Sequence, residues 1–348
     1  MAPEQQRAGT VRLRSVLGSW DAIVILALVA VIVIGGATID GVASPRFWRF
    51  VTLEAIPIAL IALPMTLVVI TGEIDLSVAS VLGLTCTVLG ELWHLGVTSL
   101  PLLVLASLLL GAVLGAVNGV FVTVFGLPSL AVTIGTLALY RGLGYVVLGD
   151  RAVANYPVDW TRRAISPIPG TVIPWFVLVV AALALFFGIV LHFTPIGRGL
   201  YAMGNNAEAA AFSGILVART KFWLFVTSGA VASLAGIFWT FRFASARADN
   251  GTGLELSVVA AVLLGGVSIF GGRGALIGVL AAVALLGTLR NGLQLANVPA
   301  NGLTIVTGAL LVASVVGPNA VGIARERLRR RRAAVLSAAG AVPPAAGA

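Results

Sequence analysis

Residues Thr194 to Lys221 read TPIGRGLYAMGNNAEAAAFSGILVARTK, the one long polar interval in an otherwise apolar chain. Asn205 followed three residues later by Glu208 has the form of a capping box, in which the amide accepts from the first turn and the carboxylate reaches back. Ala207, Ala209, Ala210 and Ala211 then favour helix, and Gly214 supplies a left-handed residue to end it. A capped helix of about two turns is marginal alone in water. It must be held either by the ends of neighbouring helices or by a partner protein. Arg198, Arg219 and Lys221 flank it, which places the loop on the cytoplasmic face of a membrane.

The composition around this interval requires that membrane. Hydrophobic residues make up 59% of the 348 and charged ones 10%, with 41 glycines and a mean hydropathy of +1.06. A soluble domain carries about 25% charge. The expected fold is an all-α polytopic membrane domain over 21–320, holding the loop at 194–221, between a short cytoplasmic tail (1–20) and a basic, then low-complexity tail (321–348). Apolar runs at 22–39, 51–71, 76–96, 100–123, 129–148, 173–193, 222–242, 255–270, 274–291 and 302–317 give about ten spans at roughly 20 residues each. The first is too long for a signal-peptide core and is read as an uncleaved span.

Ten spans put both termini on one side. Arg7, Arg12, Arg14, Arg198, Arg219, Lys221, Arg273 and the tail arginines then lie inside. Arg46, Arg49, Arg151, Arg162, Arg163, Arg242 and Arg247 lie outside, a moderate positive-inside bias. The net charge of +9 would admit a nucleic-acid partner, but six of the 22 basic residues fall in Arg325–Arg332. That run suits anionic lipid, at about 1 kcal/mol per basic residue, and nucleic acid is set aside. The outer loops 150–171 and 244–253 are either plain connections or a landing surface for an external partner.

Catalysis and metal binding find no foothold. Cys86 lies alone in an apolar run and reads as a packed hydrophobe, and His94 and His192 sit far apart at span ends, short of a zinc set. No Ser/His/Asp or paired-carboxylate arrangement occurs, and Gly265–Gly274 lacks the Gly-Lys-Ser/Thr of a phosphate cradle. No cofactor is expected. Those glycines instead permit a tight turn between closely packed helices.

Polar residues at membrane depth are the candidates that remain. Gly111, Gly115 and Gly119 form a flat face for a neighbouring helix, with Asn118 beside it. Pro128, Gly135, Gly142 and Gly144 predict a broken or bent fifth span. Thr133, Thr136, Tyr140 and Arg141, with Asn118, could then offer hydroxyls and a charge to a polar solute. The competing reading has Arg141 reaching the outer interface to pair with a carboxylate. Glu54, Glu91, Glu255 and Arg290 are further ionisable residues in or near spans, each either structural or facing solute. Asp75-Leu-Ser-Val and Glu255-Leu-Ser-Val open two spans of opposite direction, which an inverted repeat or chance would leave.

Taken in order, GEIDLSVAS (72–80), GLPSL leading to Tyr140-Arg-Gly142, TPIGR (194–198), YAMGNN (201–206), Glu208-Ala-Ala210 with Ser213-Gly-Ile215, and LGGVSIFGG (264–272) resemble the membrane permease of bacterial ATP-binding-cassette sugar importers, the ribose, xylose and autoinducer-2 group. The resemblance covers about residues 20 to 320. EIDLSVAS and the RFASAR loop (242–247) most resemble rhamnose-type permeases. It implies import of a monosaccharide, rhamnose or another deoxyhexose or pentose, through a path built by two permease subunits. A separate cytoplasmic ATPase and an extracytoplasmic sugar-binding protein complete the system. Asn205, Asn206, Glu208, Ala209, Ala210 and Gly214 would form the coupling helix docked on the ATPase, and Gly72, Asp75 and Ser77 a cytoplasmic turn. Many relatives have a second glycine where this chain has Glu73. A secondary transporter or channel acting alone is the alternative, and it would use an ion gradient and need no ATPase.

Overall fold

The computed structural model describes residues 20–299 and scattered positions from 301 to 316. The N-terminal arginines, the Arg325–Arg332 run and the low-complexity tail lie outside the described residues. The chain forms α1 (Trp20–Thr38), α2 (Pro45–Ile70), α3 (Val78–His94), α4 (Leu100–Thr123), α5 (Ser129–Leu148), α6 (Val158–Ile165), α7 (Phe176–Phe193), α8 (Pro195–Asn205), α9 (Ala207–Phe212), α10 (Val217–Phe243), α11 (Leu254–Leu264) and α12 (Leu276–Leu295). Among the described residues there is no strand, only isolated bridges at Val153–Ala246 and Pro167–Pro174.

α2 is the axis of the bundle. Ser44 caps it by accepting from Phe47 N at 3.2 Å, Pro45 starts it, and every residue from Ile56 to Ile70 is buried. A helix apolar all round belongs inside a bundle rather than on its face. α10, α12, α11 and α7 pack around it, while α10 also packs on α3 and most extensively on α4. The α4–α10 seam is the glycine face expected from sequence. A Cβ added at Gly111 would strike the Gly229 carbonyl, one at Gly115 the Phe225 carbonyl, and one at Gly229 the Gly111 carbonyl. The backbones touch there, which only glycine permits.

Seven of these helices, α1, α2, α4, α5, α7, α10 and α12, are long and apolar enough to cross a membrane, against the ten expected. α3 has 17 residues, α11 only 11, and a third short apolar helix, Asn301–Leu310, runs over positions outside those described. α11 stops at Leu264 instead of continuing to 270. Gly265 and Gly266 break it, and the glycine loop then folds back so that Gly265 and Gly278 lie backbone to backbone.

The fifth span is not broken. Pro128 precedes its first turn, and α5 runs uninterrupted through Gly135, Gly142 and Gly144. A proline there removes no helical hydrogen bond, and single glycines lower helix propensity without ending a helix. Cys86 is fully buried, with its thiol 3.3 Å from Gly236 O.

Candidate functional site

At one end of the bundle, where α2, α4 and α7 finish and α5, α10 and α12 begin, the polar interval folds into two short helices rather than one. Thr194 caps α8, which absorbs Asn205 as its last residue. The Asn205 amide therefore donates to Tyr201 O at 2.8 Å instead of capping α9. The cap falls to Asn206, the extended residue between the helices, whose side chain accepts from Ala209 N at 2.9 Å. Glu208 lies exposed in the first turn of α9, where a negative charge favours the helix dipole. Gly214 takes φ +85° to close the helix, as its position implied. Ala210 is buried against the bundle, while Glu208, Ala209 and Phe212 face outward, Phe212 with 93% of its surface exposed. The sequence motifs do not single out Phe212; its place between an alanine run and a helix-ending Ser-Gly is the available signal.

The base of this projection is locked to the bundle. Gly204 sits so close to Ile70 O and Gly272 N that no side chain fits, and Gly272 N donates to Ile70 O at 2.9 Å. Tyr201 Oη donates to Gly274 O at 2.8 Å. Glu73 accepts from Lys221 Nζ at 2.5 Å, with both side chains largely buried. The pair joins the turn after α2 to the second turn of α10, nine residues beyond the end of α9.

Next to that turn lies a sealed polar network. Asp75 Oδ1 accepts from Ser77 N at 3.1 Å and Ser77 Oγ at 2.6 Å, and Oδ2 accepts from Ser228 Oγ at 2.9 Å. Asn118 Nδ2 donates to Ser77 Oγ at 2.8 Å, while Tyr140 Oη donates to Leu114 O at 2.9 Å. Thr133 Oγ1 donates to Ile74 O at 3.2 Å. Ser77 occupies the cap position of α3, yet its hydroxyl is spent on Asp75 rather than on the first turn. The residues expected on a solute path (Asn118, Thr133, Thr136, Tyr140) and those expected in a turn (Asp75, Ser77) thus meet at one junction of α3, α4, α5 and α10, all buried. Gly72 takes φ +82° to start the turn.

Arg141 does something else. Its guanidinium donates to three carbonyls, Ala248 O at 2.9 Å, Asn250 O at 2.7 Å and Ala79 O at 3.2 Å, and so pairs with backbone instead of a carboxylate. Three acceptors around a planar fork satisfy the cation without a counter-charge. Gly83 makes room for it, since a Cβ there would strike Arg141 Nη1. The guanidinium fastens the loop after α10 to α3, and the Val153–Ala246 bridge holds the same loop from the other side. That loop walls a cavity of about 560 Å³ at the end of the bundle opposite α9, together with Glu54, Trp239, Ser257 and Arg290. Glu54 is ion-paired to Arg242.

A helix bundle with a projecting, capped element at one end and a polar cavity at the other is compatible with many transporters. The family described as "Branched-chain amino acid transport system / permease component" matches residues 49–315. The chain belongs to this permease family. Among its relatives, the autoinducer 2 import system permease protein LsrD of Salmonella paratyphi A is 34% identical over 309 residues, covering 84% of this chain and 92% of the relative. The protein of that name from Escherichia coli O157:H7 is 34% identical over 316 residues, and that from Shigella flexneri 33%, each covering 89% of this chain and 94% of its own. No solved structure matches the chain. The permease is a multi-pass membrane component of an ATP-binding-cassette importer, a transport subunit and not an enzyme. Membership implies an ATPase partner and a binding protein that presents the solute.

Proposed function

We propose that this permease forms half of the membrane path of an ATP-driven importer for a small, polyhydroxylated, sugar-type solute, and that α9 is the element through which the ATPase moves it. The observation that carries this reading is the outward face of α9: a capped two-turn helix whose base is locked by Gly204, Gly272 and the Glu73–Lys221 pair, presenting Glu208, Ala209 and Phe212 to whatever lies beyond. A helix too short to persist alone but fixed at its root can transmit force. An exposed aromatic surrounded by small residues is the usual anchor of such an interface.

On this reading the α9 end is cytoplasmic, in keeping with Arg198, Arg219 and Lys221 around it. Ten spans result when the three shorter apolar helices, α3, α11 and Asn301–Leu310, are counted with the seven long ones, α3 and α11 being extended by the irregular segments Gly72–Ser77 and Gly265–Ala275, since irregular backbone is tolerated at depth where protein surrounds it. A second permease subunit, identical or related, completes the path. The open apolar faces of α4 and α5, with Leu102, Leu105, Leu109 and Val146 exposed, suit such a partner as well as lipid. The relatives import autoinducer 2 by name; rhamnose, favoured by the short motif resemblance, stays one candidate within the same polyhydroxylated class.

The test is co-reconstitution of the permease with its ATPase and binding protein in vesicles. Uptake of labelled neutral sugars should require ATP and all components, and Glu208→Lys should abolish both uptake and ATPase co-purification while the permease stays in the membrane. Uptake driven by an ion gradient through the permease alone would refute the proposal in favour of a secondary transporter.

A further inference from the structure

The 560 Å³ cavity falls within the range of about 300–1,000 Å³ typical of small-molecule sites. Its wall is built for a particular chemistry. Among the charged residues that line it, Glu54 and Asp249 supply two carboxylates and Arg247 and Arg290 two guanidinium groups, so the lining carries no formal net charge. Three of the four are not free to neutralise a charged guest. Asp249 is held by Arg247 at 2.8 and 3.0 Å, and Glu54 by Arg242. Arg290 is the exception: it stands five residues from the end of α12, exposed, with no hydrogen-bond or ion-pair partner among the described residues. An ionisable side chain left unpaired within a membrane helix is a functional candidate by default. Around it are Asn250 and Ser257, which both donate and accept, and Trp239, whose ring offers an apolar face.

We propose that this cavity is the permease's own receiving site, that it takes an uncharged polyhydroxylated solute of monosaccharide size, and that Arg290 is the residue that engages the solute's oxygens. The inference rests on the importer reading above and adds the place, the lining and the exclusion of charged solutes. A neutral guest with several hydroxyls can be donated to by Arg290 and can donate to Glu54 and Asp249 without disturbing either ion pair. An anionic group would gain the Arg290 guanidinium but has no proton to donate to Glu54 or Asp249, whose charges Arg242 and Arg247 already satisfy, whereas a hydroxyl can accept from the one and donate to the others. The loop that supplies Asp249 and Asn250 is the one Arg141 fastens from behind, so Arg141 is a positioning residue for this wall and touches no solute.

The chain's single cysteine is buried, so an introduced thiol can be labelled selectively. In the full-length permease in vesicles, in a Cys86→Ala background, Ser257→Cys should react with a membrane-impermeant maleimide added on the binding-protein side. The probes are a panel of neutral pentoses, hexoses and 6-deoxyhexoses and the phosphate ester of each, at millimolar concentration. At least one neutral sugar should slow labelling about tenfold, its phosphate ester should not, and Arg290→Gln should remove the protection at unchanged membrane content. A thiol that does not react, protection by none of the sugars, protection by an ester equal to that by its sugar, or protection that survives Arg290→Gln would each overturn the proposal. Loss of ATP-driven uptake by the unmodified complex would instead count against the importer reading, because labelling and protection need neither ATP nor ATPase.

Discussion

The Glu73–Lys221 ion pair permits a test whose size can be worked from the structure. Lys221 Nζ lies 2.5 Å from Glu73 Oε1, and only 16% and 17% of the two side chains is exposed. Removing one partner of a largely buried pair leaves the other charge without compensation, at a cost of about 3–5 kcal/mol. The small residual exposure points to the low end, about 3 kcal/mol. Lys221→Ala should therefore lower the melting temperature of the purified permease by roughly 5 °C or more, and Glu73→Ala should do nearly the same. The double variant should cost far less than the sum, because neither charge is then stranded.

Function separates this pair from an ordinary stabilising contact. Lys221 stands in the second turn of α10, nine residues past α9, and Glu73 two residues before Asp75. If the pair makes α9 and the Asp75 junction move together, each single variant should retain ATP hydrolysis by the co-purified ATPase while transporting fewer solute molecules per ATP, and the double variant should still transport poorly although its stability has recovered. Melting shifts that add within about 0.5 kcal/mol would show that the two residues do not interact. A double variant that regains full uptake would show that the pair contributes only stability.

The other contacts lead to further outcomes. Arg141→Ala loses three charge-assisted bonds to carbonyls and should destabilise the loop after α10 by about 2–4 kcal/mol, read as faster proteolysis between Ser245 and Gly253; Gly83→Ala should mimic it by displacing the guanidinium. Gly115→Ala should force α4 from α10 against the Phe225 carbonyl and cost about 1–3 kcal/mol in thermal unfolding. Asn206→Ala should loosen α9 by about 1 kcal/mol, and Phe212→Ala should weaken ATPase co-purification by more than tenfold, the mark of an interface anchor. Arg247 holds the Asp249 carboxyl below the ordinary carboxylate range, so the contribution of this exposed pair is complete above about pH 4 and is lost only as pH falls further; protease protection of the loop should be flat from pH 8 to 5.

Much of the bundle is legible in the sequence because its signals are local. Apolar runs mark the long helices, and the spacing of Gly111, Gly115 and Gly119 announces a close helix contact, although not that Phe225 and Gly229 supply it. The misreadings share a cause. Pro128 reads as a break within a span, whereas its place before Ser129 makes it a start signal. Asn205 reads as a cap because nothing local reveals that α8 runs through it. Both turn on where a helix boundary falls, which neighbouring elements decide. The polar residues at depth are recognisable one by one, but their partners lie far off in sequence. Ser228 reaches Asp75 across 153 positions and Arg141 reaches Asn250 across 109, separations that no spacing rule covers.

The same long-range contacts constrain how a push on α9 can reach the opposite end. Gly204 and Gly272 clamp the root of α8 and α9 to the end of α2, and Lys221 ties α10 to the turn after α2. Ser228 and Asn118 then hold Asp75 and Ser77 to α10 and α4, whose backbones are in direct contact along the glycine seam. From this junction α10 continues as one helix to Phe243, directly before the loop that walls the cavity. A displacement of α9 is therefore carried by α4 and α10 as one body, and the cavity changes shape where that body meets parts it is not fused to. The nearest such place is the Arg141 fork, which grips the loop from α5 through three hydrogen bonds and can release them one at a time. Cross-linking α4 to α10 along the seam should leave transport intact, whereas cross-linking α5 to the loop at Ala248 should arrest it with the ATPase still turning over. Arrest by the seam cross-link would refute movement as one body.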